Sequence, residues 1–176
     1  HGSTGEDGSV SVEFAYIDYL ITPQLGIRAG MLLVPVGLVN EIHEPPTYLS
    51  ARRPDLASVV LPTTWRENGF GVWGETEKLS YRAYVVTGLD ASGFSSSKGI
   101  RGGRQKGSKS KAEDFALTGR LDYIGTPGLV AGVSFYSGDS GQGATVDGEV
   151  IGGKVTTFDV HFDWKYRAFE LRGEWA

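Results

Sequence analysis

One segment indicates the fold class of this sequence. It runs Phe115-Ala-Leu-Thr-Gly-Arg-Leu-Asp-Tyr123, continues through Gly125-Thr-Pro-Gly128 and ends in Leu129-Val-Ala-Gly-Val-Ser-Phe-Tyr136. In both arms apolar or small side chains occupy every second position, which is the period of a β-strand. The residues between the arms combine glycine with proline, which favours a tight turn. The segment therefore predicts an antiparallel hairpin with one apolar face and one polar face.

The same alternation recurs through most of the chain and predicts eight strands in all. None of these segments has the period of a helix, so we predict an all-β, antiparallel, up-and-down architecture. The abundance of glycine and aromatic residues agrees with short strands joined by turns. The predicted strands cover Ala15–Ile21, Ile27–Leu33, Asn68–Glu75, Leu79–Val85, Phe115–Tyr123, Leu129–Tyr136, Phe158–Lys165 and Phe169–Trp175.

The connections between these strands alternate regularly between short and long. Short turns fall near Pro23, Glu77, Pro127 and Arg167, and long loops cover about 35–67, 89–114 and 137–154. Bacterial outer-membrane barrels have this plan, with tight periplasmic turns at one rim and long external loops at the other. The spacing therefore predicts a transmembrane β-barrel in contact with outer-membrane lipid.

The two faces of the predicted strands differ strongly in polarity. One face is apolar, with Tyr19, Tyr123 and Trp164 beside short turns, where a membrane barrel carries an aromatic girdle. A soluble barrel could show the same alternation with its apolar face inward, so this pattern alone leaves both arrangements open. The other face carries the charged side chains Arg28, Arg82, Arg120, Arg172, Asp18, Asp122, Asp159, Asp163, Glu170 and Glu174.

Composition and motifs argue against several other functions. The chain contains no cysteine, which excludes disulfides and thiolate metal sites, and its three histidines are scattered. Gly138-Asp-Ser-Gly141 resembles a serine-protease segment, but no histidine lies in the usual protease context. Gly102 to Gly107 has the spacing of a phosphate-binding loop, but Ser108 stands where that motif needs lysine. We therefore predict neither an enzyme nor a cofactor, metal or nucleic-acid binding protein.

The second long loop is strongly basic. It is rich in glycine and serine, and at a pore mouth its cations would raise the local concentration of anions. A solvated charged loop and a loop that binds acidic lipopolysaccharide are the alternatives. The cations are Lys98, Arg101, Arg104, Lys106, Lys109 and Lys111.

Four arginines on the polar strand face, Arg28, Arg82, Arg120 and Arg172, are candidates for lining a channel. Fixed guanidinium groups could pass an anion from one to the next. The carboxylates on the same face, among them the pore-lining candidates Asp18 and Asp122, leave a second interpretation open. In that interpretation each arginine is neutralised by a neighbouring carboxylate in the wall.

The first long loop contains apolar residues that must pack against another surface. They lie in Leu56-Ala-Ser-Val-Val-Leu61 and at Trp65. One hypothesis is that the loop folds into the barrel and narrows it, with Arg52, Arg53 and Arg66 near the constriction. A cap over the outer rim, or packing against a neighbouring subunit, is the alternative.

Several motifs resemble the phosphate-selective porin (Porin O/P) family of Gram-negative outer membranes. They are Ala15-Tyr-Ile-Asp-Tyr19, Gly30 with Pro35-Val-Gly37, Pro62-Thr-Thr-Trp-Arg-Glu-Asn-Gly69, and Leu79-Ser-Tyr-Arg-Ala-Tyr-Val-Val-Thr-Gly-Leu-Asp90. The resemblance implies a barrel of about sixteen to eighteen strands. It also implies a homotrimer that passes small, phosphate-like anions by diffusion.

Eight strands are about half of such a barrel, and Trp175-Ala176 lacks the terminal aromatic residue typical of outer-membrane barrels. We therefore expect residues 1–176 to form a single barrel segment, an internal fragment of a larger porin. Two alternatives remain: a small eight-stranded barrel without transport, whose interior side chains would fill, and a soluble β-barrel binding module.

Overall fold

The computed structural model describes residues 12–42, 56, 60–62, 64–107, 110–146, 148–150 and 152–176. Within them the chain is all-β, and eight strands form one antiparallel sheet. A further pair of short strands, β7 and β8, forms a separate ribbon. The strands are β1 Ala15–Thr22, β2 Leu25–Leu33, β3 Arg66–Glu75, β4 Leu79–Thr87, β5 Phe115–Thr126, β6 Leu129–Asp139, β7 Thr145–Val146, β8 Glu149–Val150, β9 Lys154–Tyr166 and β10 Phe169–Trp175.

The sheet follows the order of the chain, β1-β2-β3-β4-β5-β6-β9-β10. This confirms the predicted all-β, antiparallel, up-and-down arrangement. The strand ends differ from the prediction, because β6 runs on to Asp139 and β9 already begins at Lys154. The third long loop is therefore shorter than expected, and it carries the β7–β8 ribbon.

The hairpins meet in close register. In the first, Tyr16 lies opposite Gly30, whose φ of 138° is one that side-chain-bearing residues rarely adopt. A Cβ atom on Gly30 would clash with the carbonyl oxygen of Ala15. Glycine at this position therefore permits the close approach of β1 and β2.

The sheet is open. Strands β1 and β10 form its two edges, and within the described part of the chain they do not pair with each other. The described residues therefore do not form a closed eight-stranded barrel.

The two faces of the sheet have opposite environments. The apolar face is exposed: Ile17 and Phe169 keep 78% and 79% of their surface accessible. On the polar face Asp159 is 0% exposed. Other exposed apolar side chains are Tyr19, Ile27, Phe70, Val72, Leu79, Phe115, Leu117, Leu121, Tyr123, Val133, Phe135, Phe158, Val160, Phe162, Trp164, Leu171 and Trp175.

A small apolar core lies between the polar face of the sheet and the first long loop. Trp65 is fully buried, and its ring centroid lies 4.6 Å from that of Tyr136 in β6. Among the described residues of the first loop, Val34, Val36, Leu61 and Trp65 therefore pack against the sheet. The buried cluster consists of Leu32, Val34, Val36, Leu61, Trp65, Tyr84, Val86, Leu89, Ala116 and Tyr136. Among the described residues, no helix is long and apolar enough to cross a membrane.

Candidate functional site: the charged face of the sheet

Residues 34–42, here called the cross-face segment, leave the end of β2 and lie across the polar face. The backbone N–H of Gly37 donates to Ser134 Oγ over 3.0 Å, and Arg120 Nη1 donates to the Gly37 carbonyl over 2.8 Å. The next N–H, that of Leu38, donates to Glu174 Oε1 over 2.7 Å. Side chains from β5, β6 and β10 thus hold the segment against the sheet.

Asn40 joins the two ends of the first long loop. Its Nδ2 donates to the carbonyl oxygens of Val34, over 2.7 Å, and of Trp65, over 2.9 Å. Its Oδ1 accepts from the Trp65 N–H over 2.8 Å. One buried amide therefore satisfies three backbone groups and fixes where the cross-face segment begins.

A network of ion pairs joins this segment to the sheet. It consists of Glu41 from the segment with Arg82, Arg120 and Asp122 from the strands. Arg120 Nε lies 2.7 Å from Asp122 Oδ2, and Arg82 Nε lies 3.1 Å from Glu41 Oε1. Longer contacts join Arg82 Nη1 to Asp122 Oδ2 at 3.5 Å and Arg120 Nη1 to Glu41 Oε2 at 3.7 Å. Each arginine thus faces two carboxylates, so neither presents an uncompensated positive charge.

His161 extends the network into β9. Its Nδ1 lies 2.6 Å from Asp159 Oδ1 and its Nε2 lies 2.8 Å from Asp122 Oδ1. Ser134 Oγ, which accepts from the cross-face segment, itself donates to the same Asp159 oxygen over 2.8 Å. The imidazole therefore links the arginine network to one of the anchors of the segment.

The other two arginines of the polar face are also paired. Arg28 makes a two-pronged contact with Asp18, with distances of 2.7 and 2.8 Å, and its guanidinium lies 4.0 Å from the ring centroid of Tyr16. Arg172 donates to Asp163 over 2.9 Å and to Glu170 over 2.8 Å. All six pore-lining candidates thus lie on the polar face, in the paired arrangement that was the second interpretation of these arginines.

The cations of the second long loop divide into two groups. A hollow of about 440 Å³ is bordered by Lys98, Arg101, Arg104 and Lys106. Arg104 is also held by the protein, because its Nη1 donates to Thr64 Oγ1 over 2.7 Å. The described residues lining the hollow include no carboxylate.

Lys111 lies outside the hollow and pairs with Asp90, the Nζ–Oδ2 distance being 2.9 Å. Burial acts to raise the pKa of the Asp90 carboxyl, but hydrogen bonds from Ser92 and Lys111 outweigh it and hold the pKa below its ordinary value. Lys111 therefore helps to secure the loop. Lys109 lies outside the described residues.

Of the three constriction candidates, Arg66 lies within the described residues. Arg66 is the first residue of β3 and is buried, so it belongs to the sheet and not to the loop. Arg52 and Arg53 lie outside the described residues. The part of the first loop that does lie across the polar face is residues 34–42, which contribute Glu41 to the network.

Several residues of the site were not predicted from the sequence. Asn40 and Glu41 lie in a loop without periodicity, and Ser134 is an ordinary small residue. Glu67 is fully buried and accepts from the Gln105 N–H over 2.9 Å and from Trp65 Nε1 over 3.3 Å. Its place on the polar side of the β3 alternation was the only available signal.

The chemistry of the site is that of a charged, hydrogen-bonded surface. Among the described residues, no group of three or more His, Asp or Glu side chains is arranged to hold a metal ion. Fold and site together define an all-β protein in which an open antiparallel sheet carries a loop segment on its charged face and exposes its apolar face.

Comparison with other proteins adds one relative. A protein of Aquifex aeolicus (strain VF5), described only as "Uncharacterized protein", is 42% identical over 170 residues. The match covers 95% of this chain but 38% of that protein, so the chain spans well under half of its relative's length. No protein-family model and no solved structure matches the chain.

Proposed function

We propose that the eight-stranded sheet is part of the wall of an outer-membrane β-barrel channel for small solutes. The observation that carries this proposal is the reversed polarity of the sheet. A protein dissolved in water buries its apolar face and exposes its charges, whereas a barrel in lipid does the opposite. Here the exposed face is a continuous field of large apolar side chains, and the covered face carries the ion pairs.

The connections and the aromatic residues support the same proposal. Each hairpin of the sheet has a short turn, at 23–24, 76–78, 127–128 and 167–168. The long loops all lie at the opposite ends of the strands. Tyr19, Tyr123 and Trp164 lie exposed near the short turns. Amphipathic rings at this level suit a membrane–water interface.

The exposed apolar face disfavours the soluble binding module, which requires that face to be inward. The open sheet disfavours a small barrel closed by these eight strands alone. A larger barrel agrees with a relative more than twice as long as this chain. The Gram-negative outer membrane as location, the homotrimer and the Porin O/P resemblance remain predictions from the sequence.

We place the anion preference of the channel in the second long loop. The arginines of the polar face are compensated by carboxylates, whereas Lys98, Arg101 and Lys106 give the hollow of the second loop an excess of positive charge. Such an excess raises the local concentration of anions at the pore mouth, most strongly at low salt. The solutes we propose are therefore small anions, phosphate among them.

Planar-bilayer recording of the complete protein tests this function. We expect stable conductance and, across a KCl gradient, a reversal potential on the anion-selective side. The variant K98Q/R101Q/K106Q should shift that potential toward cation selectivity. The matched variant K78Q/K165Q/R167Q removes the same number of positive charges at or near the short turns. It should shift the reversal potential less. Absence of conductance would refute the channel, and cation selectivity of the unmodified protein would refute the anion preference.

A further inference from the structure

A cavity of about 550 Å³ lies on the polar face. The cross-face segment borders it through Leu38 and Glu41, and Glu75, Ile124 and Val130 border it near the short turns. Its volume is in the range of small-molecule sites. In the proposed channel a solute that has passed the cross-face segment would enter this space.

The charges that line the cavity leave no excess of positive charge. Three arginines and four carboxylates border it. Arg82 and Arg120 share Glu41 and Asp122. Arg28 pairs with Asp18 and Asp163 pairs with Arg172, both partners lying outside the lining, and Glu75 adds one negative charge. A free anion would need an uncompensated cation and would meet these carboxylates instead. The lining arginines are Arg28, Arg82 and Arg120, and the carboxylates are Glu41, Glu75, Asp122 and Asp163.

Hydrogen-bonding capacity remains in this lining. Within the described residues, Arg82 Nη1 is buried without a hydrogen-bond partner, and it lies 3.5 Å from Asp122 Oδ2. Carboxylate oxygens have about four lone-pair positions, more than the contacts to Glu41 occupy. Donors and acceptors therefore stand side by side, which suits hydroxyl groups because each hydroxyl both donates and accepts.

Two aromatic rings complete the cavity. Phe14 and Tyr16 both line it, with ring centroids 5.9 Å apart, and Phe14 is 55% exposed. Arg28 holds Tyr16 in place from one side, at 4.0 Å from the ring centroid. Exposed ring faces offer a flat apolar surface on which the C–H face of a sugar ring can pack.

From this combination we propose that the cavity is a binding site for a neutral, hydroxyl-rich solute of the size of a mono- or disaccharide. The rings contact the C–H faces of the solute, and the arginine–carboxylate pairs bond its hydroxyls. The proposal rests on the channel function and adds a solute class to it. The basic loop and this cavity then act on different solute properties, charge at the mouth and hydroxyl groups in the lumen.

The test is the ion current of the complete protein in planar bilayers, titrated with maltose. Maltose should reduce the KCl conductance in a saturable manner. Phe14→Ala should raise the half-blocking concentration about threefold to tenfold, the range expected for one lost ring contact. Phe14→Trp, which enlarges the ring, should lower it. Phe14 precedes β1 and is exposed, so these changes leave the sheet pairing intact.

Tyr19→Ala is the matched control, because Tyr19 lies in the same strand region on the exposed apolar face. It should leave the half-blocking concentration unchanged. Conductance that maltose does not block, or a block that Phe14 substitutions do not alter, would overturn the solute site alone. A block by inorganic phosphate in place of maltose would assign the cavity to anions and also overturn it. A lack of conductance would instead overturn the channel, and the site with it.

Discussion

At the scale of single residues, Asn40 has the clearest structural role. The chain leaves β2 and returns to β3 more than thirty residues later, and both ends of this loop meet at one amide. Val34 N–H also donates to the Trp65 carbonyl over 2.9 Å, so the two ends form a short backbone pairing that Asn40 closes. Because the site is buried, water cannot replace these bonds.

We expect Asn40→Ala to lower the free energy of unfolding by about 1 to 3 kcal/mol, because it leaves the buried Trp65 N–H without its partner. Urea unfolding of the protein in lipid vesicles measures this loss. Limited proteolysis should also show faster cleavage between Val34 and Trp65. Asn68→Ala is the control, since its Nδ2 donates to Gly107 of the second loop. Equal proteolysis of the first loop in both variants would contradict the role of Asn40.

Sequence could not predict residues of this kind. Ser134 bonds Gly37, 97 positions away, and Asn40 bonds Trp65 at a distance of 25 positions. Neither residue belongs to a motif with a fixed spacing, so its partner becomes visible only when the topology is known. Asp18 and Arg28 differ, because they share the face of one hairpin and their pairing follows from strand register.

At the scale of elements, the strands were predictable because each is amphipathic with period two. The segment 115–136 gave both arms of the β5–β6 hairpin and its turn, and the structure extends each arm by three residues. The loops were less predictable. Residues 34–42 carry no repeating pattern, and their place on the polar face depends on anchors in β5, β6 and β10.

The second long loop is held by an ion pair and hydrogen bonds of Asp90, and these depend on pH. Asp90 accepts from Ser92 and Lys111, and its pKa lies below the ordinary value. A lowered carboxyl pKa stabilises the folded loop above the ordinary Asp pKa of about 3.9, and this stabilisation is lost as the pH falls through the lowered value. We therefore expect the loop to loosen below about pH 4 and to be unaffected near neutrality.

Hydrogen exchange of the amides of residues 90–107, compared between pH 6 and pH 3 after correction for intrinsic rates, measures this loosening. Protection should fall at the lower pH in the unmodified protein. Asp90→Asn keeps the size of the side chain and removes the titration, so its protection should already be reduced at pH 6 and change little with pH. An equal fall in both proteins would show that another group controls the loop.

At the scale of the whole molecule, the question is what medium faces the apolar side of the sheet. Single exposed apolar residues are common in proteins, but here they continue across all eight strands of the sheet. The charged face, by contrast, is covered in part by residues 34–42 of the chain itself. Lipid outside and a polar lumen inside satisfy both faces at once.

Val133 tests this arrangement, because it lies near the middle of β6, between Leu121 of β5 and Val160 of β9. If lipid covers this face, Val133→Arg should destabilise the folded protein in vesicles by about 2 to 4 kcal/mol, the cost of arginine near the membrane midplane. Val150→Arg is the matched control, since Val150 lies in the β7–β8 ribbon of a long loop and is 73% exposed, against 39% for Val133. In lipid the two substitutions should therefore differ strongly in urea unfolding. If water covered the face, both would be nearly neutral because both side chains would remain solvated, and the barrel proposal would fail.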